Sequence, residues 1–530
     1  MAGGAVISSG PVAGDKNVLS KANRRPMIYC AIAVMGAVLY GYDGTYFAGI
    51  LEMERFRRDY GALRERPNGS IGYDITSGER SLLASIVQAG ELVGALTSAF
   101  IGDYFGRKGG FAGAGALVMI GTAIQMAPGS LGALAGGRAI LGMGVGVISA
   151  TCTPYLSEVA PSAIRGPVVS SWQLLLAIGQ VIGNGVAQGT RNLDSTWAYG
   201  IPIILNLAIA GIMVAGVLLL CPESPRWLMS KGRDEQAIAS LRKINAGQED
   251  PNEVVDLEFK SFAQARDDEL ATQGEGGWKA LFATKQDRRR LLMVFGVLVS
   301  QQIGGVQFIF SYATTFFAAI GIDASFTISM VVAVVEVVGV LVSFLLVNRF
   351  GRRPLLLWTS VPMILNLFIC GILGSIDPNN ENAAIGKAIA AQIILFVFFF
   401  NLAWGPLAWV CASELSSGGQ KTRVMAVGTA GFWIIAFLVT FTLPYLFDDA
   451  QAGLGPQVGY IYGALNAVAM AFVYFFIPET LGRSLEEIQV LITLNVPTRQ
   501  WRASTTRRPT LRSLRWRTPK LRTSPSLAKI

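Results

Sequence analysis

Apolar runs alternate with short polar turns along almost the whole chain, and many of the runs are long enough to cross a membrane. A helix needs roughly 20 apolar residues to span a bilayer. Twelve stretches meet that length, at approximately 27–50, 82–102, 110–128, 132–155, 167–189, 198–221, 291–319, 325–347, 354–376, 387–412, 424–446 and 457–477. Six precede the polar segment Pro222 to Arg290 and six follow it. The pattern predicts an all-α membrane protein of twelve transmembrane helices in two six-helix bundles. The expected organisation is an N-terminal segment 1–26, a first bundle 27–221, a helical linker domain 222–290 containing stretches such as Asp234 to Ile244, a second bundle 291–477, and a basic tail 478–530.

The two halves are copies of one unit. Glu91 to Lys108, ELVGALTSAFIGDYFGRK, returns at Glu336 to Arg353 as EVVGVLVSFLLVNRFGRR, an offset of 245 positions with eight of eighteen residues identical. Ser157-Glu158 is echoed by Ser413-Glu414, and Pro222-Glu223 by Pro478-Glu479, at an offset of 256. The extra residues of the second half fit the polar loop at Asp377 to Asn382. Both copies run in the same direction, so the repeats are parallel.

Composition agrees with a membrane protein. The chain is 52% hydrophobic and 15% charged, with a mean hydropathy of +0.46, too apolar for an ordinary soluble protein. Its 60 glycines suit helices that approach backbone to backbone in lipid. The complete lack of histidine excludes a Ser-His-Asp relay, a His metal site and a His proton shuttle, so proton chemistry falls to carboxylates. Cys30, Cys152, Cys221, Cys370 and Cys411 lie in or at the end of apolar runs without paired spacing, as buried thiols do. Met1 to Ser20 is small and polar, with no evident cleavable signal.

Charge sets the orientation. Lys16, Lys21, Arg24, Arg25, Arg107-Lys108, Arg288 to Arg290, Arg352-Arg353, Lys421 and Arg423 fall on one side of twelve spans, which predicts that side, with both termini, to be cytoplasmic. The loop from Leu51 to Arg80 faces the other side and carries Asn68-Gly69-Ser70, a glycosylation sequon. The tail from Arg499 holds ten Lys or Arg and no acid, which leaves the rest of the +9 chain near neutrality. In a protein with twelve spans such a tail is expected on anionic inner-leaflet lipid, not on nucleic acid.

Charges and amides inside the spans are the candidate chemistry. Asp43 on helix 1 and Arg138 on helix 4 share a depth, roughly 10 Å from the outer ends at 1.5 Å per residue. A charge in lipid usually faces the bundle interior, paired or titrating. A structural ion pair fits these two; a proton site is favoured, because a movable arginine setting the proton affinity of an acid is a ready coupling device. Glu91 and Glu336 are the other deep acids, suited either to hydrogen bonding with neighbouring helices or to substrate binding and coupling. Gln173, Gln180 and Asn184 form one stripe on helix 5. Helix 7 carries Gln301, Gln302, Gln307 and Tyr312, and helix 10 carries Asn401, Trp404 and Trp409. Amides offer donors and acceptors for alternating sugar hydroxyls, and an indole suits the apolar ring face. Interhelical hydrogen bonding is the alternative for any one of them, but together they favour a polyol site. The run Gly142-Met143-Gly144-Val145-Gly146 imitates a nucleotide loop, yet inside a membrane helix it predicts close helix packing.

From helix 1 to Glu487 the chain resembles the sugar porter family of the major facilitator superfamily, with the flavour of fungal hexose transporters. The matching motifs are Gly41-Tyr42-Asp43; Asp103 with Gly106-Arg107-Lys108; Gly137-Arg138; Pro154-Tyr155 with Glu158 and Arg165-Gly166; Pro222-Glu223-Ser224-Pro225-Arg226; Gln301-Gln302 with Gly305; Gly351-Arg352-Arg353; and Pro478-Glu479-Thr480 with Gly482-Arg483. The resemblance implies two bundles rocking about a midplane sugar site. It implies inter-bundle salt bridges that latch the outward-open state, formed by Asp103, Arg107, Glu158, Arg165, Glu223, Arg226, Arg352, Glu414, Glu479 and Arg483. It also implies sugar contacts from Gln173, Gln180, Gln301, Gln302, Gln307 and Trp409, with Glu336 and Asn401 beside them, and proton coupling through Asp43 and Arg138.

The departures bear on substrate. Gln307 stands for a usual Asn, Gly304 for a Ser or Thr, Glu336 for the helix 8 Asn, Phe432 for the Asn before Trp433, Asn348 for an acid and Tyr104 for an Arg. The expectation is monosaccharide transport at the plasma membrane, by proton symport in preference to facilitation, without metal or cofactor. Transporter-like sugar sensors carry long tails, whereas 43 residues follow Glu487 here, which favours transport; a membrane enzyme lacks any nucleophile and base constellation.

Overall fold

The computed structural model describes residue 20 and residues 22–65, 71–127, 129–161, 164–248, 250–272, 277–319, 324–377, 382–416, 421–447, 451–483 and 485–501. The sequon at Asn68 and the tail 502–530 lie outside the described residues, as do the side chains of Arg165, Asn348 and Lys421.

Ten helices in the described residues are long and apolar enough to cross a membrane. They are helix 1 (Arg24–Glu52), helix 2 (Ser77–Ser98), helix 3 (Phe100–Met126), helix 4 (Leu131–Val159), helix 6 (Trp197–Leu219), helix 8 (Ser325–Val347), helix 9 (Arg352–Ile376), helix 10 (Ala383–Leu415), helix 11 (Arg423–Phe447) and helix 12 (Gly455–Phe476). Helix 5 (Arg165–Thr190) and helix 7 complete the twelve. Those two carry the glutamines, and polar residues dilute their apolar signal.

Local chemistry explains the helix ends. Thr76 and Glu79 form a reciprocal capping box at the start of helix 2, satisfying two of the amides that a helix start leaves open. Ser130 caps the Ala133 amide of helix 4 and Thr284 the Asp287 amide of helix 7. Helix 7 is not continuous: it runs as Lys285–Ile303 and Val306–Ala319. Gly305 takes a left-handed φ of 82° in the break, a conformation that glycine adopts without penalty. The carbonyl of Gly304 freed there accepts the Asn466 amide of helix 12 at 3.0 Å; in lipid a freed carbonyl needs such a partner.

The glycine run of helix 4 serves close packing. A Cβ on Gly142 or Gly146 would overlap the carbonyl oxygens of Val87 and Glu91 on helix 2, and one on Gly144 would lie 2.6 Å from the Ala114 oxygen on helix 3. Small residues at these points let backbones touch, which substitutes for the hydrophobic drive that lipid removes. The five cysteines are all free and buried.

The segment between helices 1 and 2 holds a short helix, Glu54–Tyr60, and a hairpin of Ala62–Glu65 with Ile71–Asp74. Arg57 pairs with Glu52 and, at 3.6 Å, with Asp74, and Arg80 pairs with Asp74 at 3.2 Å. On the opposite side of the molecule, the side that bears Asn23 and Trp501, the segment after helix 6 folds into helices Pro225–Ser230, Asp234–Asn245 and Pro251–Thr272. Trp227 and Leu228 lead a separate small core there.

Candidate functional site

A cavity lies between the two bundles. One wall is helix 1 at Tyr40 and Gly41, helix 4 at Ser149 and Thr153, and helix 5 at Trp172, Gln173 and Gln180. The other is helix 7 at Gln301, Gln302, Gln307 and Phe310, helix 10 at Phe400 and Trp409, and helix 11 at Phe432 and Trp433. Six of the eight residues expected to contact substrate line it.

The polar groups on this lining are fixed, and several remain unpaired. Helix 10 widens into a π-turn at Phe400–Trp404, which releases backbone carbonyls. Gln301 Nε2 donates to two of them, Trp404 at 2.9 Å and Gly405 at 3.0 Å. Its Oε1 is left buried without a hydrogen bond, as are Gln302 Oε1 and the Trp433 indole N–H. Such a group costs roughly 1–3 kcal/mol when unmet. Two acceptors and a donor on residues that line one cavity favour a ligand that offers both. Tyr40 packs edge-on to Trp433 with ring centroids 5.8 Å apart and stacks on Trp172 at 6.3 Å, and Trp409 packs on Phe432 at 5.1 Å. Flat apolar faces thus alternate with amides.

Two expected contact residues stand behind the lining. Asn401 is fully buried; its Nδ2 donates to Val397 O at 3.1 Å and its Oδ1 accepts from Gln173 Nε2 at 3.4 Å. Glu336 is also fully buried, and its carboxylate accepts the Gln180 side-chain amide. Neither borders the cavity; each is held from behind by a lining residue, Asn401 by Gln173 and Glu336 by Gln180. Trp404 turns to helix 9, where its indole donates to Ser360 Oγ at 2.9 Å. Asn184 donates to the Gln180 backbone oxygen at 3.1 Å. Tyr40, Trp172, Ser149, Thr153, Phe310 and Phe400 were not legible as lining residues; single aromatics and hydroxyls in apolar helices look like ordinary core.

Asp43, Glu91 and Arg138 are each at most 3% exposed and form one electrostatic group. They are near one another but make no ion pair. Arg138 Nε donates to Leu83 O at 2.8 Å and its guanidinium lies 3.7 Å over the Phe47 ring. Both Asp43 carboxylate oxygens and Arg138 Nη1 are without a hydrogen bond of normal geometry, and the Tyr46 hydroxyl lies beside both groups.

The charged motifs on the terminal side repeat in both halves. Arg107 pairs with Glu158 at 3.0 Å and Arg352 with Glu414 at 3.0 Å. Glu223 accepts the backbone amides of Arg107 (2.9 Å) and Lys108 (3.1 Å), and Glu479 those of Arg352 (3.0 Å) and Arg353 (3.1 Å). These pairs lie within a half. Arg226 lies over the Phe262 ring at 4.6 Å, Arg483 donates to the Trp501 backbone oxygen, and the Asp103 backbone oxygen accepts the Trp227 indole at 3.2 Å. The halves bond to each other towards the far side instead. Gln188 donates to Thr327 at 3.3 Å, Tyr312 to the Arg80 oxygen at 3.4 Å, and Arg191 covers Phe326 at 5.0 Å.

The family described as Sugar (and other) transporter matches residues 29–492. The chain belongs to that family. It is 31% identical over 471 residues to the low-affinity glucose transporter HXT1 of Saccharomyces cerevisiae, covering 87% of this chain and 80% of that one. It is 30% identical over 477 residues to the major facilitator-type transporter ecdD of Aspergillus rugulosus, covering 88% and 87%. The high glucose sensor RGT2 of Saccharomyces cerevisiae is 32% identical over 495 residues; this chain spans 62% of its length. Among solved structures, that of the proton:xylose symporter XylE superimposes with a TM-score of 0.72 at 23% identity, over 89% of this chain and 99% of that one. The fold is therefore the twelve-helix major facilitator fold, and the protein is a multi-pass membrane protein.

Proposed function

We propose that this transporter moves a monosaccharide across the plasma membrane by alternating access, driven by proton symport. The observation that carries this is the set of unpaired buried groups on the cavity wall, Gln301 Oε1, Gln302 Oε1 and the Trp433 N–H, beside Gln173, Gln180, Gln307 and Trp409. Sugar hydroxyls both donate and accept, and stacked aromatics suit the ring face. Sugar-transporting relatives such as HXT1 support the substrate class.

The termini and the segment 222–290 are assigned to the cytoplasm from the Lys and Arg distribution. On that assignment the structure is inward-facing, since the bundles meet on the far side while Arg107–Glu158 and Arg352–Glu414 pair within their halves. In the outward-facing state the same motifs, with Asp103, Arg165, Arg226 and Arg483, join the bundles as the latch. Asp43 takes up the proton. Its carboxylate is buried without a hydrogen bond of normal geometry, and Arg138, held by Leu83 and Phe47, compensates the charge once the proton leaves. The basic tail rests on anionic inner-leaflet lipid.

The test is accumulation of a labelled, non-metabolised glucose analogue in transporter-deficient yeast at acidic external pH. An inside-to-outside ratio well above one that collapses with a protonophore is expected. Fast entry that never exceeds a ratio of one would show a facilitator. Sugar-dependent signalling without flux would show a sensor, the alternative that RGT2 raises.

A further inference from the structure

Glu336 is a further acid at the heart of the molecule, and it shares one neighbour, Tyr40, with Asp43 and Glu91. It lies on helix 8 with no exposure, and among the described residues its side-chain hydrogen-bond partner is the Gln180 amide of helix 5, from the other bundle. Gln180 lines the cavity, and its backbone oxygen accepts Thr45 Oγ1 of helix 1 at 3.3 Å. The groups that face Glu336 are Tyr40 from helix 1, Gln180 from helix 5 and, one turn along helix 8, Asn401 of helix 10 against Gly339. No Lys or Arg acts on it among the described residues. An ionised carboxylate buried with one amide and no cation is poorly satisfied; the neutral acid is the form that such a place holds.

The contact between helices 5 and 8 also changes during alternating access. It is closed here, with Gln188 bonded to Thr327 and Gly185 packed 3.4 Å from Met330 by its missing Cβ position. Opening to the far side requires these helices to part, which admits water to Glu336.

We propose that Glu336 is a second proton-carrying group of the transport cycle, neutral while helices 5 and 8 are closed over it and free to ionise only when they separate. The closed state then binds the proton more tightly than the open state. By linkage, acid favours closure and rising pH favours opening. Its place in transport rests on the proposed function above, but the switch is testable without any sugar.

The test is disulfide trapping of the closed interface in the full-length chain in liposomes, with Gln188→Cys and Thr327→Cys on helices 5 and 8. The five native cysteines are buried and give low background. Cross-link yield is followed from roughly pH 5.5 to roughly pH 8.5, a range that spans shifted carboxyl groups. With Glu336 present the yield is expected to fall several-fold as pH rises, and in Glu336→Gln to stay high throughout. The Gln variant carries the same thiols, so the pH dependence of thiol chemistry cancels in the comparison. Glu336→Asn serves the same purpose if the Gln variant does not fold. The same pH profile in both backgrounds overturns the proposal. So does a profile flattened by Asp43→Asn and untouched at Glu336, which assigns the switch to Asp43. Because no sugar is needed, failure here is separable from failure of the uptake experiment.

Discussion

The Glu223 carboxylate accepts the backbone amide of Arg107 at 2.9 Å, across 116 positions of sequence. Glu479 repeats the bond with Arg352 at 3.0 Å. In each half the carboxylate fills the turn that joins two membrane helices, where Gly106 (φ 77°) and Gly351 (φ 90°) take left-handed conformations. A Cβ at either glycine would lie 2.6 Å or 2.5 Å from the carboxylate. The signature Phe-Gly-Arg is therefore a socket for a glutamate from the end of the half.

Gly106→Ala and Gly351→Ala should each lower the thermal unfolding temperature of the detergent-solubilised protein. The expected cost is about 1–3 kcal/mol per site, from backbone strain and displacement of the carboxylate. Glu223→Gln, which keeps an acceptor, should cost less than either.

The ion pairs beside these sockets are partly buried, with Arg107 at 24% and Glu158 at 12% side-chain exposure. Such pairs contribute about 0.2–1 kcal/mol. A double-mutant cycle on Arg107 and Glu158, read by thermal unfolding, should return a coupling in that range. Their larger effect should be on transport rate, through the latch.

Asp43→Asn should retain sugar binding, followed by tryptophan fluorescence, while protonophore-sensitive accumulation is lost. Arg138→Ala should also abolish accumulation, because without the compensating guanidinium Asp43 keeps its proton.

Trp409→Ala should raise the KM of uptake about tenfold, equivalent to about 1.4 kcal/mol, through loss of the aromatic face. Gln301→Leu should do more: it removes both a contact and the donor that holds the carbonyls of Trp404 and Gly405. Its unfolding temperature should therefore fall together with its uptake, and that of Gln173→Leu should fall less, because Gln173 donates one long bond, to Asn401 Oδ1.

The twelve spans, the duplication and the motif positions were legible in the sequence because each depends on local pattern. A run of apolar residues long enough for the bilayer has one favourable outcome. The motif positions of Glu223 and Glu479 were legible, but their bonds to the turn amides of Arg107 and Arg352 were not. The glutamines of helices 5 and 7 were legible for a related reason: amides at helical spacing inside an apolar run have few places to go except a shared interior.

Depth along a helix is written in the sequence, but direction around the interior is not. Tertiary packing alone placed Asn401 and Glu336 behind Gln173 and Gln180. Packing also turned Trp404 away from the cavity that Trp409 faces, since the π-turn at Phe400–Trp404 breaks the helical spacing by which one would be inferred from the other. It decided, too, that Arg107 and Arg352 pair within their own halves. That choice depends on which way two bundles lean, and a conformational equilibrium between packed states leaves no mark in the order of residues.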